Sequence, residues 1–542
     1  MEISQHSKEV AKGSFWGLLG NLIFKLSSFF YTVLIARVAS QNDVGLFYLG
    51  LSIISLFAVF SDLGLSGSVL RYLPFFEGRN QKSKIKDLIR SSYKIVLVLG
   101  LLLSSIIFLS ADWIGQVYHN QNLPDTLRIF SAFILIQNIF RLDLSFLQSK
   151  GDIKFNQFAS NIQNVSKLIF TSVLFYLYGP SVATLILAFI LSHVLAILIM
   201  FLRIKDLLSQ LPKDGAGISK EEFVNEIIPL GILIGIVGAF SLLLASVDRI
   251  VMGLIMDPTT VETSLAIYSI ATALAISINI FPGAVQGIFF PVVSRIFGKG
   301  ANNEAISLMQ SSQRWSMFIT IPIAVVMIIF SSDMLRIFYG VNYQPGWLVL
   351  SLFTLGSLFT NLLSVIGFAL VANRLVKIEL QMSVAATILN ILLCVLLVPL
   401  FGINGAALAW FISMGAITMM LQYYGKKIFN FTTPSEIYKL LFAGLVAFIL
   451  ALLVKPLIVD LISFIPTLSE TGPTQYIISK LIYLAYLGIL SLFTGVLFIL
   501  LSLFLKCFHS EDISLMNSVL RRAFVPQPIV DFAVKVASYG VK

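Results

Sequence analysis

Charge is scarce in this chain: Asp, Glu, Lys and Arg supply 12% of its 542 residues, about half the share found in an ordinary soluble domain. Histidine occurs four times and cysteine twice, and neither type gathers at metal-ligand spacing. His6, His119, His193 and His509 are scattered, Cys394 lies in an apolar segment and Cys507 near the tail. No phosphate-binding glycine loop precedes a Lys-Ser/Thr pair, and no nucleophile elbow is present. These absences argue against a nucleotide-driven pump and leave no enzyme signature, so a non-enzyme without cofactor or metal is expected. Polar stretches long enough to make a soluble domain are also lacking.

What fills the chain instead is hydrocarbon. Hydrophobic residues make up 57% of it, and the mean hydropathy is +0.92. Apolar runs of about 20 residues recur from end to end, the mark of an all-α polytopic membrane protein. The segments fall near 14–36, 44–65, 93–115, 126–148, 157–178, 181–202, 226–247, 264–289, 315–332, 346–371, 378–399, 404–424, 436–459 and 476–505, giving about 14 spans. The first run is about 24 residues long, beyond the 7–15 of a cleavable signal, and reads as a retained helix.

The net charge of +10 follows topology. With the N-terminus inside, the loop after span 2 carries Arg71, Arg79, Lys82, Lys84, Lys86, Arg90 and Lys94, and later inner loops carry Lys150, Lys154, Arg203, Lys205, Arg314, Lys426 and Lys427. Outer loops hold little beyond Arg37, Arg128, Arg249, Arg336 and Lys455. This positive-inside bias places both termini in the cytoplasm and removes any need for a nucleic-acid partner.

Two short echoes, Tyr178-Gly179 with Ala188-Phe189-Ile190-Leu191-Ser192 and Phe401-Gly402 with Ala409-Trp410-Phe411-Ile412-Ser413, stand about 221–223 positions apart, as expected of an internal duplication. The expected organisation is a lobe over 1–222 (spans 1–6), a second over 223–430 (spans 7–12), two added spans over 431–505 and a cytoplasmic tail over 506–542. Six spans per lobe keep both copies in one membrane orientation, a pseudo-twofold arrangement.

Lys25 and Lys167 each sit near the middle of an apolar span, where a charge costs from about 3 to over 10 kcal/mol unless water or a partner reaches it. Polar residues line up beside them. Asn21, Lys25, Ser28 and Thr32 share one helical face; Ser160, Asn164, Lys167 and Thr171 share another, within about 60°. Tyr48, Ser52, Ser55, Asp62 and Ser66 align in span 2, Gln137, Arg141, Ser145 and Gln148 in span 4, and Tyr268, Thr272, Asn279 and Gln286 in span 8. Lipid satisfies none of these, so each stripe faces either a polar cavity or a neighbouring helix.

Asp62 and Asp143 have two readings: partners that neutralise Lys25, Lys167 or Arg141, or carboxylates that carry a coupling ion. Asp248 and Arg249 read as interface markers near the end of span 7, with Asp248 as a further coupling candidate. Arg71 reads as a topology anchor or a contact for a headgroup phosphate. Pro229, Gly231, Gly235, Pro282, Gly283, Pro291 and Pro322 are candidate bends.

Four stretches carry a family resemblance. They are Ile388-Leu389-Asn390 through Val398-Pro399-Leu400-Phe401-Gly402-Ile403-Asn404-Gly405-Ala406-Ala407; Asp62-Leu63-Gly64-Leu65 with Arg71; Asp248-Arg249 with Gly253; and Tyr268-Ser269-Ile270-Ala271 ending at Phe290-Pro291-Val292-Val293-Ser294-Arg295. Together they resemble the O-antigen and exopolysaccharide lipid-linked oligosaccharide flippases of the multidrug/oligosaccharidyl-lipid/polysaccharide exporter superfamily. The resemblance implies two six-helix lobes around a cationic cavity. It also implies a polyprenyl-(pyro)phosphate-linked oligosaccharide as substrate, moved from the inner to the outer leaflet of the cytoplasmic membrane. It puts Lys25 among the cavity's basic residues, and Asp62 and Arg71 at its inner end. Membrane lipids and polysaccharide assembly proteins are the implied partners. A cation-coupled multidrug exporter and a peptidoglycan-precursor flippase are the alternatives.

Overall fold

Helix starts and stops follow local chemistry. The computed structural model describes residues 2–210, 218–280, 302–373, 375–462, 473–509 and 527–539, with 282, 283, 293, 296 and 297. Helix α1 (Glu2–Val38) gives way to α2 (Gln41–Asp62) at Ser40, whose hydroxyl accepts from the Asp43 N–H at 3.1 Å. Leu63 and Gly64 both adopt the left-handed conformation (φ 45° and 68°), ending α2 and starting α3 (Leu65–Gly78). Then follow α4 (Lys82–Val117), α5 (Leu123–Ser149) and α6 (Ile153–Tyr178), which Asp152 caps by accepting from the Phe155 N–H at 3.3 Å. A Ser181/Thr184 capping box opens α7 (Val182–Ser209).

A five-residue π-helical lead, Phe223–Ile227, enters α8 (Ile228–Ile255). Next come α9 (Val261–Ile276), α10 (Asn302–Ile329), α11 (Ser331–Phe338) and α12 (Trp347–Ala372). The remainder are α13 (Val376–Phe401), α14 (Ile403–Phe429), α15 (Ser435–Ile462), α16 (Pro473–Phe504) and α17 (Gln527–Ser538).

Among the described residues, 13 helices are long and apolar enough to cross a membrane. They match thirteen of the segments expected above, so the chain is an all-α, multi-pass membrane protein. The other expected span, 157–178, is also a helix, α6, but its Asn, Gln, Ser and Lys167 side chains keep it below that apolarity.

Two expectations about residues 63–92 differ from the structure. Residues 66–92 were expected as a loop, yet they hold α3 and the first turns of α4; their charges hide two helices from a hydropathy reading. Ser66 was aligned with the α2 stripe, but the left-handed pair at 63–64 breaks the helical phase before it.

Helix contacts divide the chain into two compact units, Met1–Ala273 with Lys377–Ser413, and Leu274–Val376 with Met414–Lys542. This packing division is not the six-and-six division of the sequence. In the first unit, Leu65, Val69, Leu73 and Phe76 of α3 pack with Ile85, Leu88 and Ile89 of α4 and with Leu142 and Phe146 of α5. In the second, Met317, Ile321 and Val325 of α10 meet Leu440, Ala443 and Ala447 of α15 and Leu490 and Phe498 of α16.

Glycines explain two of the stretches that carry the resemblance. A Cβ on Gly64 would lie 1.8 Å from the Gly231 carbonyl oxygen, so the α2–α3 elbow packs backbone to backbone on α8. Gly231 and Gly235 thus serve a close helix approach. Gly402 (φ 56°) makes the turn between α13 and α14, and a Cβ on Gly405 would lie 2.1 Å from the Leu397 carbonyl oxygen. Pro291, Gln286 and most of the Phe290–Arg295 motif lie outside the described residues.

Candidate functional site

Helix α6 places its polar stripe against α1 and α7. Ser28 donates to the Asn164 side-chain oxygen at 3.1 Å, knitting α1 to α6. One turn further along, the Lys167 ammonium lies 4.4 Å from the centre of the Tyr31 ring and 5.8 Å from that of Phe189. Among the described residues Lys167 has no carboxylate partner; ring faces are its company, an attraction that strengthens as water is excluded.

Neutral polar groups complete the surroundings. Gln163 donates to Ser192 at 3.2 Å, and His193 Nδ1 lies 2.8 Å from the Phe189 carbonyl, which fixes its proton on that nitrogen. The imidazole is walled by Phe133, Phe140 and Phe189, with ring centres 4.8, 5.0 and 4.8 Å away. The Tyr31 and Thr171 hydroxyls are buried without a hydrogen-bond partner. A cation beside unpaired hydroxyls is a constellation suited to an anion that also accepts hydrogen bonds.

Lys25 lies half-buried three residues before Ser28 and makes no hydrogen bond or ion pair with a described residue; Asn21, one turn earlier, is exposed. Neither Asp62 nor Asp143 neutralises these lysines. Asp62 accepts from the Ser66 hydroxyl at 2.7 Å and the Ser66 N–H at 3.3 Å, with Arg141 near enough for its charge to act on it. Asp143 is buried in α5 and accepts from the Tyr93 hydroxyl. Nearby, Asn138 donates to Ser61, so α2, α4 and α5 share a polar layer.

Asp248 and Arg249 lie inside the helix and do not mark its end: α8 continues to Ile255, and Asp248 is only 1% exposed. Arg249 donates to Ser269 and Thr272 of α9 and to the Ala245 carbonyl, each at 3.0 Å, while Asp248 accepts from Tyr268 and from the Arg249 N–H. The guanidinium also lies 5.7 Å from the centre of the Tyr268 ring. Tyr48 of α2 is within electrostatic reach of both Tyr31 and Arg249. The sequence signal for Arg249 is its position two residues past the expected end of span 7 at 247, just after Asp248.

The remaining candidates separate. Asn279 sits in a 3-10 turn, Ser277–Asn279, beyond the end of α9, so it leaves the helical alignment with Tyr268; it belongs to the second unit and accepts from Asn361 at 2.7 Å. Arg71 is exposed on α3. Arg314, expected in a loop, lies mid-way along α10, 6% exposed, and donates to Ser311 at 2.9 Å. On the face of α6 turned away from Lys167, a groove of about 860 Å³ is lined by Ile23 of α1, Phe158, Ile162 and Ile169 of α6, and Leu195 of α7, with Arg203 near one end.

Buried cations spread over several membrane helices define a multi-pass transporter-like bundle with a polar interior. The chain belongs to the polysaccharide biosynthesis protein family, whose model matches residues 33–347. A putative O-antigen transporter from Shigella flexneri is 22% identical over 76% of this chain and 97% of its own length. A probable low-salt glycan biosynthesis flippase from Haloferax volcanii is 22% identical over 77% of this chain and 83% of its own. Among solved structures, the lipid II flippase MurJ in an inward-closed conformation superposes with a TM-score of 0.68 at 17% identity, covering 90% of this chain and 98% of that one. That likeness is one of fold.

Proposed function

We propose that this protein is a flippase for polyprenyl-(pyro)phosphate-linked oligosaccharides, carrying them from the inner to the outer leaflet of the cytoplasmic membrane by alternating access. The observation that carries the reading is Lys167: an unpaired ammonium between Tyr31 and Phe189, in the least apolar of the expected spans. A diphosphate brings about two negative charges, and a lysine held in a partly dry site offsets their burial better than water at a surface would. Lys25 supplies a second cation on the adjoining helix. Gln163, Asn164, Tyr31 and Thr171 provide donors and acceptors for sugar hydroxyls, and tyrosine rings give sugars a flat apolar face.

The relatives named as an O-antigen transporter and a glycan biosynthesis flippase support the same cargo. The prenyl chain stays in lipid. In this reading the protein performs no covalent chemistry, both termini are cytoplasmic, and polysaccharide assembly proteins meet it at the membrane. Uphill movement draws on an ion gradient. Asp62 and Asp143, which have no cation in direct contact among the described residues, are better suited to that than Asp248, which Arg249 compensates.

The test is transport in reconstituted vesicles of a labelled polyprenyl-pyrophosphate oligosaccharide by wild type, Lys25→Ala and Lys167→Ala. Wild-type translocation that falls by about 10–100-fold in Lys167→Ala, the worth of one charge-assisted contact, supports the reading. Export of a cationic dye without movement of the glycolipid overturns it in favour of a drug exporter.

A further inference from the structure

Helix α3 has 14 residues, about 21 Å of helix, too short to cross a hydrocarbon core of about 30 Å. It hangs between two helices that do cross, joined to α2 by Leu63 and Gly64 and to α4 by Arg79, Asn80 and Gln81. Connections that short keep it beside the C-terminal end of α2 and the N-terminal end of α4. Its inner face, Leu65, Val69, Leu73 and Phe76, is fully buried against α4 and α5.

The opposite face is built differently. Leu70, Arg71, Pro74, Phe75, Gly78 and Arg79 recur at the spacing of one helix face, and all are exposed. Leu70 is 39% and Phe75 44% exposed, and the Arg79 guanidinium lies 4.2 Å from the centre of the Phe75 ring. Neither arginine has a carboxylate partner among the described residues. The acid on this helix, Glu77, is taken by Lys150, so the face is cationic as well as apolar.

We propose that this face of α3 lies in the headgroup layer and binds anionic phospholipid, with Leu70 and Phe75 beside the acyl chains and Arg71 and Arg79 on lipid phosphates. Apolar residues flanked by arginines on a short surface helix match the chemistry of such a layer. Arg71 and Arg79 stand eight residues apart, about 12 Å along the axis, so they meet separate headgroups and one diphosphate cannot bridge them. Gly64 against Gly231 ties this helix to α8, so lipid binding bears on a membrane-crossing helix. The inference rests on the membrane architecture and is independent of the cargo.

Both native cysteines are buried, so a spin label can be placed at Leu70→Cys or Gly78→Cys with little background. The full-length protein is examined in nanodiscs of phosphatidylcholine, and of phosphatidylcholine mixed equally with phosphatidylglycerol. The label at position 70 is expected to be reached by dissolved oxygen in preference to a water-soluble nickel reagent. Purified protein is expected to retain phosphatidylglycerol over phosphatidylcholine, and the double change Arg71→Gln, Arg79→Gln to abolish that enrichment. A label that reports water in both bilayers overturns the proposal, as does undiminished phosphatidylglycerol retention by the double variant.

Discussion

The two compact units bury their charges differently. In the first, Lys167 lies between aromatic rings, Arg249 is gripped by α9, and Asp62, Asp143 and Asp248 are all inside. In the second, α10 carries one buried cation, Arg314, amid Ser311, Ser312, Gln313, Ser316 and Thr320, while the ion pair Lys455–Asp333 remains about a fifth to a quarter exposed. Both interiors are rich in buried hydroxyls and amides, but the first buries three carboxylates beside its cations, whereas the second buries Arg314 and Glu436. Charge binds charge at long reach, whereas hydroxyls and amides act only in contact, so an anionic group and its sugars would be held by different means.

The largest effect is expected of Arg249→Ala, which leaves the buried Asp248 with the Tyr268 hydroxyl but without its cation. Removing one partner of a buried charge pair costs about 3–5 kcal/mol, so a marked fall in Tm in detergent or loss of folded protein is expected. Tyr268→Phe removes one hydroxyl donor to Asp248 and should cost only about 1–3 kcal/mol. Equal losses in the two variants would mean that the charge pair carries no special weight.

How far the sequence reveals this site depends on where a charge falls in its helix. Lys25 and Lys167 are legible because each interrupts an apolar run near its middle. Arg249 and Arg314 are not, because a hydropathy reading closes a span at a charge: the expected spans end at 247, before the Asp248-Arg249 pair, and begin at 315, directly after Arg314. The helices run on, to Ile255 and from Asn302, because neighbouring hydroxyls and carbonyls satisfy the guanidinium groups. Helix α3 was hidden in the same way, its buried stripe masked by the charges that follow it. Bundle class and most spans needed only the periodic supply of hydrocarbon. The meeting of Tyr31, Lys167 and Phe189 needed the packing of three helices, which no single stripe encodes.

Lys167→Met should lower translocation by about 10–100-fold with little loss of stability, since it removes an unpaired charge and leaves the rings in contact with a similar stem. Arg314→Met, among hydroxyls of the second interior, should lower it less. Parity between them would show that the two interiors bear equally on the anion. Lys455→Met removes a contact to Asp333 at 2.8 Å and one to the Ile329 carbonyl at 2.9 Å. Because both side chains are partly solvated, the cost should be about 1–2 kcal/mol, visible as a modest drop in Tm.

The smallest effect lies just past the end of α16, where Cys507 is fully buried beside Phe508. Burial pushes its thiol up to about 11, with Lys439 drawing it down and Glu436 pushing it up. An unfolded thiol releases its proton nearer 9, so between these values the unfolded chain binds fewer protons than the folded one. Stability contributed here is therefore intact below about pH 9 and declines as pH rises towards 11. The thiolate is the reactive form, so maleimide labelling of native protein should be slow near neutral pH and quicken only in strong alkali. Glu436→Gln removes the negative charge that raises the pKa and should bring that onset to lower pH. Labelling of Cys507 at the rate of an exposed thiol near neutrality would show that the α10–α15–α16 core opens at this end.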